Sequence, residues 1–246
     1  PVPGKTSRSA LIFVRHCDSP GVGYVTPSTN RPVSFATKGE NMSTDAPEFW
    51  NETWSEAAAA GSGSDDILAD QVGLLTPKRA LEIGCGLGGN AVWLAENSWT
   101  VTAVDYSPVA IEKAKQFAAE RGVEVEFLVA DATTYRPSEK FELVISFFIQ
   151  LVPEPRAAIL ANLSQALTPG GTLLFVSHDR SGSLSGWSEE DQSSLTDPQE
   201  IVAELPGLDI EQASILEDDS SQHEIQGDGP SLGSRTTIVR AIRPAP

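Results

Sequence analysis

Positive charge is scarce in this 246-residue sequence, in which 17 lysines and arginines stand against 34 aspartates and glutamates. Proteins that bind the nucleic-acid backbone or anionic membrane surfaces neutralise phosphates with basic side chains, so a net charge of −17 argues against both kinds of partner. Long apolar runs are absent as well, since none reaches the roughly 18 residues of a membrane-spanning helix. We therefore expect no nucleic-acid partner, no membrane partner and a cytoplasmic location, whereas composition leaves the oligomeric state open.

Cysteine is limited to Cys17 and Cys85. Two cysteines are too few for a metal-binding framework, and one of them lies in a glycine-rich turn. We therefore expect neither a structural disulfide nor a metal site. Hydrophobic residues make up 40% of the chain and charged residues 21%, which is typical of a globular protein. The length fits one α/β domain with an extension.

Residues 1–41 differ in charge from the rest of the chain, because they carry five basic and only two acidic side chains. They are rich in serine, threonine, proline and glycine, and Met42 then begins a Met-Ser-Thr-Asp sequence that is typical of a start. We predict a disordered or loosely ordered leader over residues 1–41, either translated upstream, expression-derived or an organellar transit peptide. We predict a single domain over residues 42–246.

One motif of this leader has another interpretation. Arg15-His16, which follows Phe13-Val14, resembles the Arg-His motif of histidine phosphatases. That motif requires glycine where Cys17 stands, and neither His178 nor His223 lies in the strand context of a second catalytic histidine. The sequence therefore disfavours a phosphatase.

The stretch Arg79–Asp105 carries the strongest functional signal. An apolar, strand-like run ends in a glycine-rich turn that begins at Gly84, and a helix-like segment, Asn90–Asn97, follows at once. A second apolar run then stops at Asp105, 21 positions after the first glycine. Gly84 and Gly86 allow a tight turn and a close approach of the backbone to a ligand, and the carboxylate of Asp105 can accept both ribose hydroxyls. The sequence therefore predicts a nucleoside-cofactor site.

The spacing of the acid and the glycines bears on which cofactor is bound. A dinucleotide fingerprint, G-x-G-x-x-G, places a helix N-terminus against a pyrophosphate. Here Glu82 precedes Gly84, Gly86 and Gly88 at alternate positions. A carboxylate is a poor neighbour for pyrophosphate but suits a cofactor that carries an ammonium and a sulfonium. The stretch resembles motif I of the class I S-adenosylmethionine (SAM) methyltransferases, E/D-x-G-x-G-x-G. The glycine pattern alone would also allow another Rossmann-type protein, such as an NAD-linked oxidoreductase.

Further segments resemble the same family, and they follow one another in the family's order. Trp50–Trp54 resembles an opening helix that lies over the cofactor pocket, although the two tryptophans could also simply pack on the core. Asp105-Tyr106-Ser107-Pro108 resembles the start of the helix after the second strand. The Leu-x-Pro-Gly-Gly turn at residues 167–171 precedes the fifth predicted strand. Together these segments span residues 46–180.

The resemblance implies roles for individual residues. An aspartate at the position of Asp131 bonds the adenine amino group in this family, although Asp131 could instead be a turn residue. The implied cofactor-binding set is Trp50, Glu82, Gly84, Cys85, Gly86, Gly88, Asp105, Tyr106, Asp131, Ala132, Ser146 and Phe147. No metal is implied.

The methyl acceptor has no comparable code. The fourth predicted strand ends in Ser146-Phe147-Phe148-Ile149 and lacks the N/D-P-P-Y sequence of enzymes that methylate adenine or glutamine amides. Phe147 and Phe148 suggest an apolar wall beside the methyl group, or ordinary core. His178, at the end of the fifth predicted strand, is the candidate catalytic residue, as a general base or a substrate-orienting group. A surface histidine is the alternative.

We predict a Rossmann-like α/β fold with a seven-stranded, mostly parallel sheet and helices on both faces. The segments Leu208–Leu216 and Ser234–Arg243 are predicted to form a hairpin that carries a reversed strand, which separates this fold from NAD-binding domains. The resemblance is greatest to small bacterial methyltransferases of the tellurite-resistance and thiopurine (thiol) methyltransferase-like group. It implies methyl transfer from SAM to a small nucleophile, such as a thiol, metalloid or other heteroatom acceptor, with S-adenosylhomocysteine (SAH) as product. A non-catalytic SAM-binding protein is the alternative.

Overall fold

The structure is a computed structural model that describes residues 47–56, 65–149, 151–182, 192–217 and 235–245. The predicted leader and its Arg15-His16 motif lie outside these residues. In chain order the elements are α1 (Pro47–Glu56), α2 (Asp66–Val72), β1 (Arg79–Ile83), α3 (Gly89–Glu96), β2 (Thr100–Asp105), α4 (Pro108–Arg121), β3 (Glu126–Val129), β4 (Phe141–Phe147), α5 (Pro153–Ala166), β5 (Leu167–His178), α6 (Pro198–Ala203), β6 (Asp209–Glu217) and β7 (Arg235–Ile242). None of the described helices is long and apolar enough to span a membrane.

The seven strands form one sheet in the order β3-β2-β1-β4-β5-β7-β6. Strands β1 to β5 are mutually parallel, whereas β7 runs antiparallel to both β5 and β6. The predicted sheet with a reversed strand from a late hairpin is therefore confirmed. The reversed strand lies inside the sheet, between β5 and β6.

Both faces of the sheet are covered, which explains why its strands read as continuous apolar runs. Successive side chains of a strand point to opposite faces, so Ala80 packs on one side and Leu81 on the other. Helices α2, α3 and α4 supply buried side chains to the first face, and α5 and α6 to the second. The core is thus two apolar layers separated by the sheet.

Helix α4 begins and ends at residues that favour helix boundaries. The Ser107 hydroxyl accepts a hydrogen bond from the Ala110 backbone N–H at 3.1 Å, and Pro108 occupies the first turn. Gly122 ends the helix at a φ of 69°, in the left-handed region that favours glycine. These two signals fix both ends of the helix that follows β2.

Other boundaries differ from the prediction. The sequence favours a helix over residues 67–75 and a strand over residues 123–129, but α2 ends at Val72 and β3 begins at Glu126. Strand β5 begins at Leu167, so it includes the predicted Pro-Gly-Gly turn. The reason is pairing across the sheet, because the Gly170 N–H donates to the Arg243 carbonyl at 2.8 Å.

The register brings the carboxyl ends of the parallel strands to one edge. Ile83 pairs with Val104 and with Ser146, so the ends of β1, β2 and β4 lie at one level. Asp105 pairs with Val129 at the ends of β2 and β3. Ligands of open α/β sheets bind at this edge. The predicted site residues at strand ends therefore share one side of the molecule.

Candidate active site

The glycine turn after β1 holds three left-handed residues, Gly84, Gly86 and Gly88, with φ values of 74°, 49° and 81°. Their surroundings differ. A Cβ on Gly86 would lie 3.3 Å from the Trp54 ring, whereas a Cβ on Gly88 would lie 2.9 Å from the Ala114 Cβ, inside the core. Gly88 therefore allows α4 to pack on the turn, and Gly86 lies at its outer side, beneath α1.

Cys85 lies between these glycines but is 6% exposed and belongs to the core that the first set of helices covers. Burial raises the pKa of its thiol well above the ordinary value, and the nearby carboxyls of Glu82 and Asp105 act in the same direction. The thiol is therefore neutral and packed. Its side chain contributes to the core, whereas its backbone is part of the turn.

Asp105 ends β2 directly beside the turn. Its Oδ2 accepts a hydrogen bond from the Gly86 N–H at 2.7 Å, and its Oδ1 accepts one from the Ser107 N–H at 2.9 Å. Burial raises the pKa of Asp105, and the hydrogen bonds from Ser107, Gly86 and Tyr106 partly offset this effect. The carboxylate is therefore held rigidly over the turn, in the place the sequence assigns to a ribose-binding group. Tyr106 follows it and is partly exposed.

Glu82 lies within β1, directly before the turn, and is 2% exposed. Burial raises its pKa to about 8, although the Asn90 side chain and the Ala91 backbone N–H, at the start of α3, donate hydrogen bonds that favour the ionised form. Its Oε2 is buried and has no hydrogen-bond partner among the residues that the structure describes. A buried acceptor without a partner is costly in an apolar surrounding, and a cationic ligand group would satisfy it. The residue thus fits a cofactor that carries an ammonium.

Asp131 follows β3 and adopts a local turn. Its Oδ1 accepts hydrogen bonds from the Thr133 backbone N–H at 2.8 Å and from the Thr133 hydroxyl at 2.6 Å. Ala132 packs against the second apolar layer. The turn interpretation of Asp131 therefore describes its geometry, and the contact with adenine stays a prediction.

Helix α1 contributes a residue that the predicted site set omits. The Trp54 ring lies over Gly86, and Trp50, which the set includes, stacks on Trp54 with ring centroids 6.0 Å apart. The Ser107 hydroxyl donates to the Asn51 Oδ1 at 2.6 Å and joins α1 to the start of α4. The spacing of the two tryptophans is the signal that could have found Trp54, since residues four apart share a helix face.

The ends of β4 and β5 form an aromatic surface. Phe147 is 6% exposed and belongs to the core, whereas Phe148 adopts a φ of 53° and places its ring centroid 4.7 Å from that of His178. A positive φ is rare for a bulky residue and marks local strain. Burial lowers the pKa of His178 to about 4. The imidazole is therefore neutral at neutral pH and lies against an aromatic ring.

Two buried hydroxyls accompany this surface. Ser146 is 1% exposed near the end of β4, and Ser177 is 1% exposed near the end of β5. Neither hydroxyl oxygen has a hydrogen-bond partner among the described residues. The predicted site residue Ser146 is therefore placed inside the sheet, where its pairing partners are Ile83 and Phe175.

The chain after β5 is tied back to the sheet. Asp179 accepts hydrogen bonds from Ser181 and, at 2.7 Å, from the Thr237 hydroxyl of β7. Burial alone would raise the pKa of Asp179, but the hydrogen bonds from Ser181 and Thr237 hold it below its ordinary value. Arg180 pairs with Glu200 of α6 at 2.5 Å. The two residues that follow His178 are therefore held against β7 and α6.

Comparison with known proteins identifies the family. A family model described as a methyltransferase domain matches residues 80–171, from β1 to the start of β5. Over 152 residues the chain is 32% identical to the probable thiol methyltransferase 2 of Arabidopsis thaliana. This alignment covers 57% of this chain and 67% of the plant protein. The chain belongs to the class I SAM-dependent methyltransferases. Other curated relatives of this methyltransferase are matched over about half of their length, 48% in one case.

Solved structures agree with the fold of a class I methyltransferase. TehB from Haemophilus influenzae is similar with a TM-score of 0.62 and 15% identity, over 80% of this chain and 66% of that one. The N-methyltransferase NodS from Bradyrhizobium japonicum, solved with SAH, gives a TM-score of 0.57 and 19% identity over 72% of this chain and 84% of that one. At such identities the likeness shows the fold.

The predicted family, fold and cofactor are therefore confirmed. The methyltransferase uses SAM, and the reversed β7 together with the family match sets aside an NAD-linked oxidoreductase. The geometry around the turn also fits this cofactor, because carboxyl groups rather than basic side chains lie next to it. The assignment of individual residues to SAM stays a prediction.

Proposed function

We propose that this methyltransferase transfers the methyl group of SAM to a small, soft nucleophile, with a thiol as the preferred acceptor. The observation that carries the proposal is the contact between Phe148 and His178, an aromatic ring and a neutral imidazole at the ends of β4 and β5. The 32% sequence identity to a plant protein named as a probable thiol methyltransferase supports the same acceptor class.

The cofactor would be held by the turn and by the carboxyl groups beside it. Gly86 lets the backbone approach the adenosyl group, and Asp105 would accept the ribose hydroxyls. Glu82 would compensate the ammonium through its Oε2, which no other described residue hydrogen-bonds. Asp131 would bind the adenine amino group. When bound, SAM supplies an electrophilic methyl group on a sulfonium. The protein's part is to hold that group in line with the acceptor and to exclude water.

The proposed acceptor class depends on how strongly His178, at the end of β5, can draw a proton from the acceptor. A base with a pKa of about 4 draws protons weakly from an alcohol, whose own pKa is far higher. A thiol needs less assistance, because a few per cent of it is already thiolate at neutral pH and thiolates are strong nucleophiles. Apolar walls also favour a polarisable sulfur over a strongly hydrated oxygen anion. His178 would therefore orient the acceptor rather than deprotonate it.

A coupled assay that measures SAH through homocysteine release tests this function. The panel should contain hydrosulfide and small organic thiols, halides, selenite, tellurite, small aromatic amines and small phenols. We expect the thiols to give the highest kcat/KM, and we expect His178→Gln to retain most of that activity. Faster turnover of a phenol or an amine would contradict the proposed acceptor class. Tight SAH binding without turnover of any acceptor would favour a non-catalytic SAM-binding protein.

A further inference from the structure

Helix α1 is attached to the domain by hydrogen bonds from two successive turns of α4. Near the start of α4 the Ser107 hydroxyl donates to the Asn51 Oδ1 at 2.6 Å. One turn and a half further on, the Lys113 ammonium donates to the Trp54 carbonyl at 2.6 Å and to the Ser55 carbonyl at 3.3 Å. The helix that covers the cofactor turn is thus held at its middle and at its end.

Lys113 provides hydrogen bonds and positive charge at the C-terminal end of α1, where the helix has no basic residue. The last carbonyls of any helix have no partner within the helix, and they carry the negative end of its dipole. The last turn of α1 contains no basic residue of its own. Lys113 therefore supplies from another helix both the missing donor and the missing positive charge.

The same attachment reaches the cofactor turn through shared residues. Trp54, whose carbonyl accepts from Lys113, places its ring over Gly86. Ser107, which donates to α1, also donates its backbone N–H to the Asp105 carboxylate. The position of α1 and the shape of the turn are therefore coupled by direct contacts.

We propose that Lys113 is a positioning residue for cofactor binding, because its ammonium fixes the final turn of α1 and thereby holds the Trp54 ring over the Gly86 side of the pocket. This inference rests on the placement of SAM at the glycine turn. Without the Lys113 ammonium, the end of α1 loses the hydrogen bonds to its Trp54 and Ser55 carbonyls, whereas the contacts within the sheet and around α4 are unchanged. The cofactor would then dissociate faster from a more open pocket.

The test compares Lys113→Met with Lys115→Met. Both variants remove one positive charge from α4 and keep an unbranched side chain. Lys115 is exposed, however, and no hydrogen bond joins it to α1 among the described residues. For Lys113→Met we expect the Kd of SAH, measured by calorimetry, to rise about tenfold, the scale of a charged hydrogen bond at a helix end. Stopped-flow measurements should assign this rise to the dissociation rate. Lys115→Met should bind SAH like the unmodified protein, and Lys113→Arg should restore most of the affinity.

The outcomes separate this inference from the proposed acceptor, because SAH binding requires no acceptor. Equal affinity for SAH in Lys113→Met and Lys115→Met would overturn the positioning role. So would a large fall in the melting temperature of the SAH-free Lys113→Met variant, since Lys113 would then support the whole domain. If the unmodified protein failed to bind SAH, the placement of the cofactor would be wrong, and the role of Lys113 with it.

Discussion

At the edge of the sheet where the parallel strands end, the groups beside β1 and β2 differ in chemistry from those beside β4 and β5. Around the ends of β1 and β2 the functional groups are carboxyls, Glu82 and Asp105, held by backbone and amide hydrogen bonds. Around the ends of β4 and β5 they are rings, Phe148 and His178, with buried hydroxyls beside them. A charged cofactor needs fixed polar partners, whereas a soft acceptor needs a dry surface. We therefore propose that the first side binds SAM and the second the acceptor.

The largest expected effect comes from breaking the cofactor side at Gly86. In Gly86→Val a branched side chain would have to adopt a φ of 49° and would meet the Trp54 ring. We expect the affinity for SAH, measured by calorimetry, to fall about 100-fold or more, because both the strain and the clash lie at the ligand surface.

Gly122→Val is the matched control for that variant. Gly122 lies at the far end of α4 with a φ of 69°, and a Cβ added to it would have no atom of the described residues within 4 Å. It therefore imposes a similar backbone strain without a clash at the pocket. If Gly86→Val bound SAH as well as Gly122→Val does, the turn would not be the cofactor site.

A smaller effect should separate the acceptor side from the cofactor side. Phe148→Ala removes the ring that packs on His178 but leaves the glycine turn unchanged. We expect kcat/KM for a thiol acceptor to fall about tenfold through lost alignment and water exclusion, while the Kd of SAH stays the same. Phe148→Leu, which keeps apolar bulk, should lose less activity. An equal loss of SAH affinity and turnover would show that the two sides do not act separately.

The smallest effect concerns how stability depends on pH. The folded state raises the pKa of Glu82 from 4.5 to about 8, so it binds more protons than the unfolded chain between these values, and this group lowers stability as pH rises through the window. His178 acts in the opposite sense below pH 6.5, because its folded pKa is lowered to about 4. Between pH 6.5 and 8 the melting temperature therefore reports on Glu82 more than on His178.

As the pH rises through that range, we expect the melting temperature of Glu82→Gln to fall less than that of the unmodified protein. His178→Gln is the control, because the histidine of the unfolded chain is about half protonated at pH 6.5 and almost neutral at pH 8, so it contributes only a small slope of opposite sign. If the Glu82→Gln and unmodified proteins had parallel curves from pH 6.5 to 8, Glu82 would be ionised throughout, and its buried carboxyl would not be neutral in the absence of the cofactor.

The positions of the groups on the proposed cofactor side could largely be predicted, because the signals are local in sequence. The glycines, Glu82 and Asp105 lie within one β-α-β unit, where backbone geometry alone fixes their spacing. Even there, spacing did not show that Gly88 packs against Ala114 or that Cys85 is part of the core. Those facts depend on how α4 packs, which no local pattern encodes.

The contacts of α1 could not be predicted from spacing. Asn51 and Ser107 are 56 positions apart, and Lys113 is 59 positions from Trp54. Such pairs are brought together only by the tertiary fold. The aromatic contact of Phe148 was equally inaccessible, because its direction depends on a left-handed backbone at that position. The residue types suggest an apolar wall, and the backbone conformation determines that Phe148 rather than Phe147 contacts His178. The role of that surface as a wall beside the methyl group stays a prediction.

The interior position of β7 has a consequence for the order of assembly during synthesis. Strand β6 pairs with β7 and with no other strand of the described sheet, although it is made earlier. It must therefore wait, with its hydrogen-bonding edge exposed, until the chain that inserts beside β5 has emerged from the ribosome. Such a late, long-range closure is slow and exposes an aggregation-prone edge. A nascent chain stalled between these two strands would be a natural target for chaperones.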